Sequence, residues 1–426
     1  MKEDFLHYLW KHKKFDFSNL RTTKNEKIVL QRTGDHNQSN SGPDFFNAQL
    51  TIDNQIWAGT VEIHKKSSDW YVHHHEKDSA YDNVILHVVW EDDIEIFRND
   101  NSIIPSLQLA DYVDTTLLVQ YENVFQKDTE KWIPCEESLS EVSKFIVSNW
   151  QERLYLERLE QKSVLIQKLL KDSSNDWETV LFKLLSKNFG LKVNGDAFFS
   201  LANSFDFSIV RKCSSDLDML EALFFGQANL LGNDLNDPYD QKLEKTYHFL
   251  QHKFQLTNQG VLPFQFFRLR PPNFPTIRLS QLANLYHKNN KLFSEVIKRN
   301  TLDEFYDLFS VETSDFWKTH YTFAKISVPK KKILTKAFVH LLLINTVIPL
   351  KFLYSKSIGK SNEEEIFKIM SQLPAEKNAI IDRFSNLGIS VEDAIHSQSM
   401  IQLKSGYCEQ KKCLKCAIGN YLLNKL

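Results

Sequence analysis

The chain has 426 residues and carries 52 Lys+Arg against 54 Asp+Glu, a formal net charge of -2. The length fits two to three domains of about 150 residues each. The near-neutral charge excludes a generally basic, nucleic-acid-coating protein, so any nucleic-acid contact must come from a local patch. Eight of the 14 His lie in the first 90 residues and three of the five Cys in the last 19. We therefore expect the chemistry near the two ends of the chain.

The first part of the sequence has the pattern of a domain that contains both helices and strands. Residues 1 to about 20 predict a short helix with an apolar face. Residues 26–110 contain β-rich runs separated by turn-forming residues, and a further helix is predicted at about 111–126. We predict a first domain over residues 1–135, with a mixed β-sheet and flanking helices.

The remainder reads as helix almost throughout. Asp237 followed by Pro238 is typical of a helix start, because Pro is well tolerated at the first helical position. We predict a helical domain over 136–405 and a cysteine-bearing tail with a terminal helix over 406–426. The fold class predicted for the whole chain is therefore α+β.

The most apolar stretch, residues 337–350, predicts a buried core helix. It is 14 residues long and contains His340 and Pro349, whereas a bilayer span needs about 18 to 20 apolar residues. The N-terminal residues mix charges with aromatics, and the odd number of Cys disfavours a disulfide framework. The sequence predicts a cytoplasmic protein that has no membrane span and keeps its thiols reduced.

Two carboxylates mark the clearest candidate site. Asp44 follows a Gly-Pro turn at the start of a predicted strand, and Glu62 lies on the next strand. Side chains at i and i+2 share one face of a strand, so Glu62 and His64 project together. A hairpin would bring Asp44 close to them. Paired carboxylates suit Mg²⁺ or Mn²⁺, which can activate water and stabilise charge on a phosphoryl oxygen.

A run of histidines follows directly. His73, His74 and His75 are consecutive, and Asp78 and His87 come shortly after them. Imidazoles and carboxylates at this density favour Zn²⁺, Mn²⁺ or Fe²⁺. We predict that His75, with His74 as the alternative, converges with Asp78, His87 and the two carboxylates as a metal ligand. The alternative is an exposed histidine turn with His87 satisfied inside a strand.

The carboxylate strands resemble the PD-(D/E)XK nuclease superfamily. That family places an Asp after a Pro at the start of one strand and Asp/Glu-x-Lys on the next strand, with a helix before them. Asp44 and Glu62 match, whereas His64 stands at the position of the Lys. The resemblance implies a restriction-endonuclease-like domain acting on DNA or RNA, with His64, Lys65 or Lys66 as the catalytic assistants. Lys65 or Lys66 can take the place of the missing catalytic Lys only if the strand is bulged.

The tail carries the spacing C-x4-C-x2-C at Cys408, Cys413 and Cys416. Three thiolates are one short of a closed zinc site or a four-cysteine iron–sulfur cluster. We predict Cys135 as the fourth ligand, with Cys213 and His396 as alternatives. Some members of the nuclease superfamily bind an iron–sulfur cluster through one distant and three C-terminal cysteines. Zinc and iron–sulfur both remain open at this level.

A wider set of motifs resembles an uncharacterised bacterial family defined by a domain of unknown function. The motifs are GPDFFNAQL, GTVEIHKKSSDW, AYDNVILHVVW, EALFFGQANLL and RPPNFPTIRLSQLANL. This resemblance covers nearly the whole chain and implies no activity. Three hypotheses follow from the residues: a metal-dependent nuclease, a non-catalytic nucleic-acid-binding or assembly module on a degenerate nuclease fold, and a His/carboxylate metalloenzyme for a small molecule.

Overall fold

The structure, a computed structural model, describes residues 1–37, 41–122, 131–232 and 237–425. The end of the helix predicted at 111–126 and the last residue of the tail lie outside these ranges. The chain forms two compact units. Unit 1 comprises Met1–Trp150, Asn386–Ile389 and Leu403–Leu426, and unit 2 comprises Gln151–Ser385 and Ser390–Gln402. A mixed sheet precedes a mostly helical region, which confirms the predicted α+β class.

Unit 1 is built on a six-stranded sheet in the order β1-β3-β4-β5-β6, with β2 paired to the start of β3. The first three strands of this order are antiparallel, and β4, β5 and β6 are parallel. The strands are β1 Ile28–Arg32, β2 Asp35–His36, β3 Phe45–Ile52, β4 Gln55–Lys66, β5 Val84–Glu91 and β6 Ser106–Gln108. Residues 84–89 of β5 are all buried, as expected for a central parallel strand covered on both faces.

Helix α1, Glu3–Lys11, packs on this sheet. Its apolar face buries Phe5, Leu6, Leu9 and Trp10 completely. These residues recur at helical spacing, so their burial confirms the amphipathic pattern of the sequence. Two further helices follow in this unit, α2 Asp69–Val72 and α3 Thr115–Tyr121.

Unit 2 is an assembly of helices around an aromatic-rich core. Helix α4 begins in unit 1 and continues into unit 2, and α18 ends at the first residue of the tail segment of unit 1. The helices are α4 Lys144–Asp172, α5 Trp177–Phe189, α6 Leu191–Asn203, α7 Phe207–Cys213, α8 Leu217–Gln227, α9 Pro238–Phe254, α10 Pro275–Lys288, α11 Leu292–Lys298, α12 Leu302–Leu308, α13 Phe316–Thr319, α14 Lys336–Leu342, α15 Ile348–Ser357, α16 Glu363–Met370, α17 Ala379–Asn386 and α18 Ala394–Leu403. A two-stranded sheet joins β7 His320–Thr322 to β8 Lys325–Ile326. The start of α9 at Pro238 is as predicted, with Asp237 as its cap.

The apolar stretch of the sequence lies inside unit 2. The continuous helical segment Lys336–Ser357 has the length and composition of a membrane span, but 72% of its most apolar window is buried in the protein. Burial to this degree is that of a helix packed in the protein core, as the sequence predicts for this stretch. A π-helical turn at Leu343–Val347 separates α14 from α15, just before Pro349. The Pro therefore sits at the beginning of α15, where its missing N–H costs little.

The cysteine tail packs as part of unit 1. Its terminal helix, α19 Ala417–Leu423, places Leu423 in the same apolar cluster as α1 and the sheet. Asn424 donates a hydrogen bond of 3.1 Å to the hydroxyl of Tyr8. These contacts put the cysteines of the tail in the same compact unit as the carboxylate strands.

Candidate metal centre

Main-chain hydrogen bonds fix Asp44 at the entrance of β3. The register pairs Phe45 with Val61, so Asp44 lies beside Glu62 on the neighbouring strand. The Asp44 N–H donates to Oε2 of Glu62 at 3.1 Å, and Oδ2 of Asp44 accepts from the N–H of Ile63 at 3.0 Å. Nε2 of His7, from α1, lies 3.1 Å from the same Oδ2. The Pro-Asp turn and the strand register together hold the two carboxylates side by side.

Glu62 is the buried member of this pair. Only 5% of the residue is exposed. Burial, followed by the charge of Asp44, raises the pKa of Glu62 to about 9. Its Oε1 lies 3.4 Å from Nε2 of His64 and 3.4 Å from Nε2 of His75. Ionising a buried carboxyl is costly, and a bound cation offsets this cost because it supplies the missing counter-charge.

Three histidines gather around Glu62. One ring nitrogen from each of His64, His73 and His75 lies within 4.8 Å of the other two. Among the residues that the structure describes, these form the one such trio of His, Cys, Asp and Glu donors. Nδ1 of His73 is 3.1 Å from Nε2 of His64. Three converging imidazole nitrogens are the donor set that Zn²⁺, Mn²⁺ and Fe²⁺ prefer over Mg²⁺.

His87 stands behind His64 rather than beside the trio. Its Nε2 lies 2.8 Å from Nδ1 of His64, and both residues are almost completely buried. With the proton on Nδ1 of His64, this contact leaves Nε2 of His64 as the electron-pair donor that faces Glu62 and His73. Metal-binding histidines are usually oriented through their second nitrogen in this manner. His87 is thus placed to orient the ring of His64.

Two imidazoles of the trio, those of His64 and His75, have a lowered pKa. Burial, together with the charges of His75 and His73, lowers the pKa of His64 to about 3. Burial also lowers the pKa of His75. Since the pKa of Glu62 is raised, the His64–Glu62 contact joins two neutral groups at pH 7 and is not an ion pair. Neutral imidazole is the form that coordinates metals.

His7 behaves in the opposite way to these central imidazoles. Burial alone lowers its pKa, but the hydrogen bond and charge of Asp44 outweigh this effect, and the net pKa is raised. A protonated His7 would neutralise Asp44 from the side of α1. It therefore competes with a cation for the charge of that carboxylate and also fixes the orientation of its Oδ2.

The loop after β4 presents the last two histidines of the trio. Ser67 and Ser68 both donate to the carboxylate of Asp93, which anchors the loop beside the sheet. His75 stacks on Tyr81 with ring centroids 3.8 Å apart, and the buried Trp70 meets the edge of His75. His74, which lies between His73 and His75 in the sequence, has φ 61° and is exposed. The left-handed turn at His74 therefore lets His73 and His75 point toward the same place.

Three predicted site residues are not brought to this centre. The pairing of β4 with β5 is regular from Val61 to Lys66, so the bulge that would redirect Lys65 is not there. Lys66 is exposed and lies 3.2 Å from Glu91, while Lys65 is exposed on the alternate face of the strand. Asp78 is exposed and caps a short turn by accepting from the N–H of Ala80.

Two residues of the centre were missed by sequence reasoning. His7 reaches Asp44 only because α1 packs on the sheet, and no spacing rule connects residues 37 positions apart. His73 lies within the histidine run, but the run alone does not tell which members converge. The signal that pointed to both was the histidine excess of the first 90 residues.

A second group of polar residues lies in unit 1, where all four candidate cysteines line one cavity. Cys135, Cys408, Cys413 and Cys416 share it with apolar neighbours. The five cysteines form no disulfide. The alternative fourth ligands lie elsewhere. Cys213 belongs to the apolar core of unit 2. His396 is in α18, and its Nδ1 lies 3.4 Å from Oδ1 of Asp393, the residue before that helix.

The comparison with known families matches this chain over residues 3–379 to the family described as "Protein of unknown function (DUF2851)". The chain belongs to this family, as the motifs of the sequence indicated. The matched segment includes both carboxylate strands and all three histidines of the trio, and it ends before the three cysteines of the tail. No curated protein and no solved structure matches the chain.

Proposed function

We propose that this protein is a metal-dependent phosphodiesterase that cleaves DNA or RNA at the centre formed by Asp44, Glu62 and the histidine trio. The observation that carries the proposal is the place of the Glu62 carboxylate, whose Oε1 lies 3.4 Å from Nε2 of His64 and 3.4 Å from Nε2 of His75, while its Oε2 accepts from the N–H of Asp44 on the neighbouring strand. Carboxylates and imidazoles at one point form a cation site, and a cation beside a phosphodiester activates water.

The order of elements supports the nuclease assignment over other hydrolases. A helix precedes the strands, Asp44 opens β3, and Glu62 lies on the adjacent β4. This is the arrangement of carboxylates on which the PD-(D/E)XK resemblance rests. The resemblance supports the proposal, which rests on the contacts of Asp44, Glu62 and the histidines.

The donor set favours a transition metal such as Mn²⁺ over Mg²⁺, because imidazole nitrogen is a better ligand for the softer ions. Such an ion would lower the pKa of a bound water and stabilise negative charge on the phosphoryl oxygens. Asp44 and Glu62 would supply the charged ligands, His64, His73 and His75 the neutral ones, and His87 would orient His64. In the reaction, water forms a new P–O bond, the ester P–O bond breaks, and the departing alkoxide takes up the proton.

The experiment is a cleavage assay on the purified full chain. End-labelled single-stranded DNA, duplex DNA and RNA are incubated with Mn²⁺, Mg²⁺ or Zn²⁺, and products are resolved by length. We expect cleavage with Mn²⁺ that falls at least 100-fold in Asp44→Asn and in Glu62→Gln, because each removes a charged ligand. Asp78→Asn is the matched control, since that carboxylate is exposed and only caps a turn. Cleavage by both carboxylate variants at the wild-type rate would refute the proposal.

The histidine trio also favours a second candidate function, a metalloenzyme for a small molecule. Three imidazoles with one carboxylate resemble the open sites of catalytic zinc and non-haem iron more than a magnesium site. This candidate predicts tight binding of one transition metal, lost in His64→Ala, without cleavage of any nucleic acid. Metal content measured beside the cleavage assay distinguishes the two functions.

A further inference from the structure

The four-cysteine cavity of unit 1 is separate from the metal centre of the proposed function. Its lining combines the four sulfurs with apolar residues on every side, namely Ile133, Pro134, Leu139, Leu403, Tyr407, Ile418 and Gly419. We infer that Cys135, Cys408, Cys413 and Cys416 hold an iron–sulfur cluster in this cavity.

Each cysteine reaches the cavity from a different local structure. Cys135 precedes the 3-10 turn Glu136–Glu141, and Cys408 closes a π-helical turn that extends α18. Cys413 begins another short 3-10 turn, and Cys416 stands at the N-terminus of α19. Because the chain supplies the sulfurs from four backbone positions that face one volume, the arrangement is not that of unrelated thiols on one helix.

The tail folds tightly enough to require a glycine in the lining. A Cβ atom placed on Gly419 would lie 2.2 Å from the carbonyl oxygen of Cys413, and backbone cannot yield as a flexible side chain would. The N–H of Cys416 donates to the same carbonyl at 3.1 Å, and the side-chain amide of Asn420 donates to the carbonyl of Leu414 at 2.9 Å. These bonds bring Cys413 and Cys416 to the same wall of the cavity.

The spacing of the sulfurs favours a cluster over a single zinc ion. Tetrahedral Zn²⁺ with bonds of about 2.3 Å draws its sulfurs to within roughly 4 Å of one another. All four cysteines are described in the structure, yet no three of their sulfurs approach within 4.8 Å. In a cubane cluster each thiolate binds a different iron, so the sulfurs lie farther apart. The four thiols are therefore less closely gathered than a single tetrahedral ion would hold them, and a cluster is the group that accepts this wider spacing.

The surrounding charges suit a negatively charged cluster. Burial and then the charges of Cys416 and Cys413 raise the pKa of Cys135 to about 12, as expected for thiols that share one cavity. Burial raises the pKa of both Cys408 and Cys413, and the charges of Lys404 on Cys408 and of Lys2 and Lys411 on Cys413 act in the opposite direction, toward the thiolate. Lysines near the rim would offset the charge that four thiolates bring to the cluster.

The test is anaerobic purification of the full chain with analysis of iron, acid-labile sulfide and zinc, together with visible absorption and electron paramagnetic resonance after reduction. We expect iron and sulfide in equal amounts, between two and about four per chain, with a broad charge-transfer absorption. Cys135→Ser and Cys408→Ser should each lose at least nine-tenths of the sulfide and the absorption. Cys213→Ser is the matched control and should keep both, since Cys213 lies in the core of unit 2.

Two results would overturn the inference. One is a chain that contains one zinc and no sulfide, and the other is a chain that contains neither after anaerobic purification and after reconstitution with iron and sulfide. Circular dichroism of the serine variants separates loss of the cluster from loss of the fold. Asp44 does not line the cysteine cavity. Asp44→Asn should therefore lose metal at the histidine centre and keep its sulfide. That result shows that the cluster can be tested independently of the proposed function.

Discussion

Asp44 donates its backbone N–H to Oε2 of Glu62 at 3.1 Å, and its own Oδ2 accepts the N–H of the residue that follows Glu62. The two carboxylates are therefore held by main-chain groups of two paired strands. Neither depends on a lysine or arginine for its place. Because the strands fix the geometry, the pair is pre-organised for a cation before any cation binds.

The first prediction concerns Glu62→Gln. The metal-free protein should keep its unfolding temperature within a few degrees, because the amide is isosteric with the protonated carboxyl that burial favours. Binding to the native state stabilises by about 2.7 kcal/mol at a ligand concentration of 100 Kd. Thermal unfolding with and without Mn²⁺ should show this gain in the wild type and not in the variant.

The control for that measurement is Glu91→Gln, which removes an exposed carboxylate that pairs with Lys66. It should retain the full gain from Mn²⁺. If Glu62→Gln is stabilised by Mn²⁺ as strongly as the wild type, then Glu62 is not a ligand and the centre has to be assigned without it.

The second prediction separates two adjacent histidines. His73→Asn should reduce the affinity for Mn²⁺ or Zn²⁺ by 10-fold or more, because it removes one nitrogen of the trio. His74→Asn should leave the affinity unchanged, since His74 is exposed and asparagine tolerates its left-handed backbone. Isothermal titration calorimetry on both variants checks the difference. Equal losses would show that the loop as a whole, and not His73, is required.

The carboxylate pair was predictable because it depends on local rules. Alternation along β4 sets Glu62 and His64 on one face, and a short hairpin brings Asp44 across from them. Lys65 and Lys66 were candidates only under a bulge near them. The irregularities in the pairing of β4 lie earlier, between Thr60 and Val61 against β5 and opposite Phe45–Ala48 of β3. A bulge depends on how two strands pair, so the sequence of β4 alone could not place it.

The remaining parts of the centre depend on tertiary packing. His7 meets Asp44 through the docking of α1 on the sheet, and His87 meets His64 through the parallel pairing of β4 and β5. Parallel register is set by the crossover between strands and not by adjacent residues. The gathering of Cys135 with the tail was predicted from the count of thiols, but its apolar surroundings follow only from the folded tail.

The third prediction tests the close packing of helices in unit 2. A Cβ on Gly226 would lie 2.1 Å from the ring of Tyr247, whose hydroxyl donates to Gln227 at 2.9 Å. Gly226→Ala should lower the free energy of unfolding by about 1–3 kcal/mol, the usual cost of overpacking a core. Chemical denaturation monitored by circular dichroism gives the value. Gly388→Ala is the contrasting case: nothing lies within 4 Å of an added Cβ there, but the residue has φ 85°, so its cost comes from backbone strain and not from overpacking.

Glu221 is a buried carboxyl of unit 2 with no role in either proposal. It is completely buried in α8 and accepts hydrogen bonds from the hydroxyls of Tyr239 and Ser314. Burial raises its pKa to about 7, although the hydroxyl hydrogen bonds of Ser280, Tyr239 and Ser314 act in the opposite direction. The folded state therefore keeps a proton on Glu221 at pH values where the unfolded chain has released it.

The fourth prediction follows from the sign of that difference. Between pH 4.5 and 7 the folded state binds more protons at Glu221 than the unfolded state, so this group makes the free energy of unfolding fall as pH rises. Glu221→Gln cannot titrate, so its stability relative to the wild type should improve across this range by at most about 3 kcal/mol. Thermal unfolding at several pH values checks this against Glu160→Gln, an exposed carboxylate paired with Lys356. A gap between wild type and Glu221→Gln that is the same at every pH would mean that Glu221 is ionised throughout, and that its hydroxyl partners offset the cost of its burial.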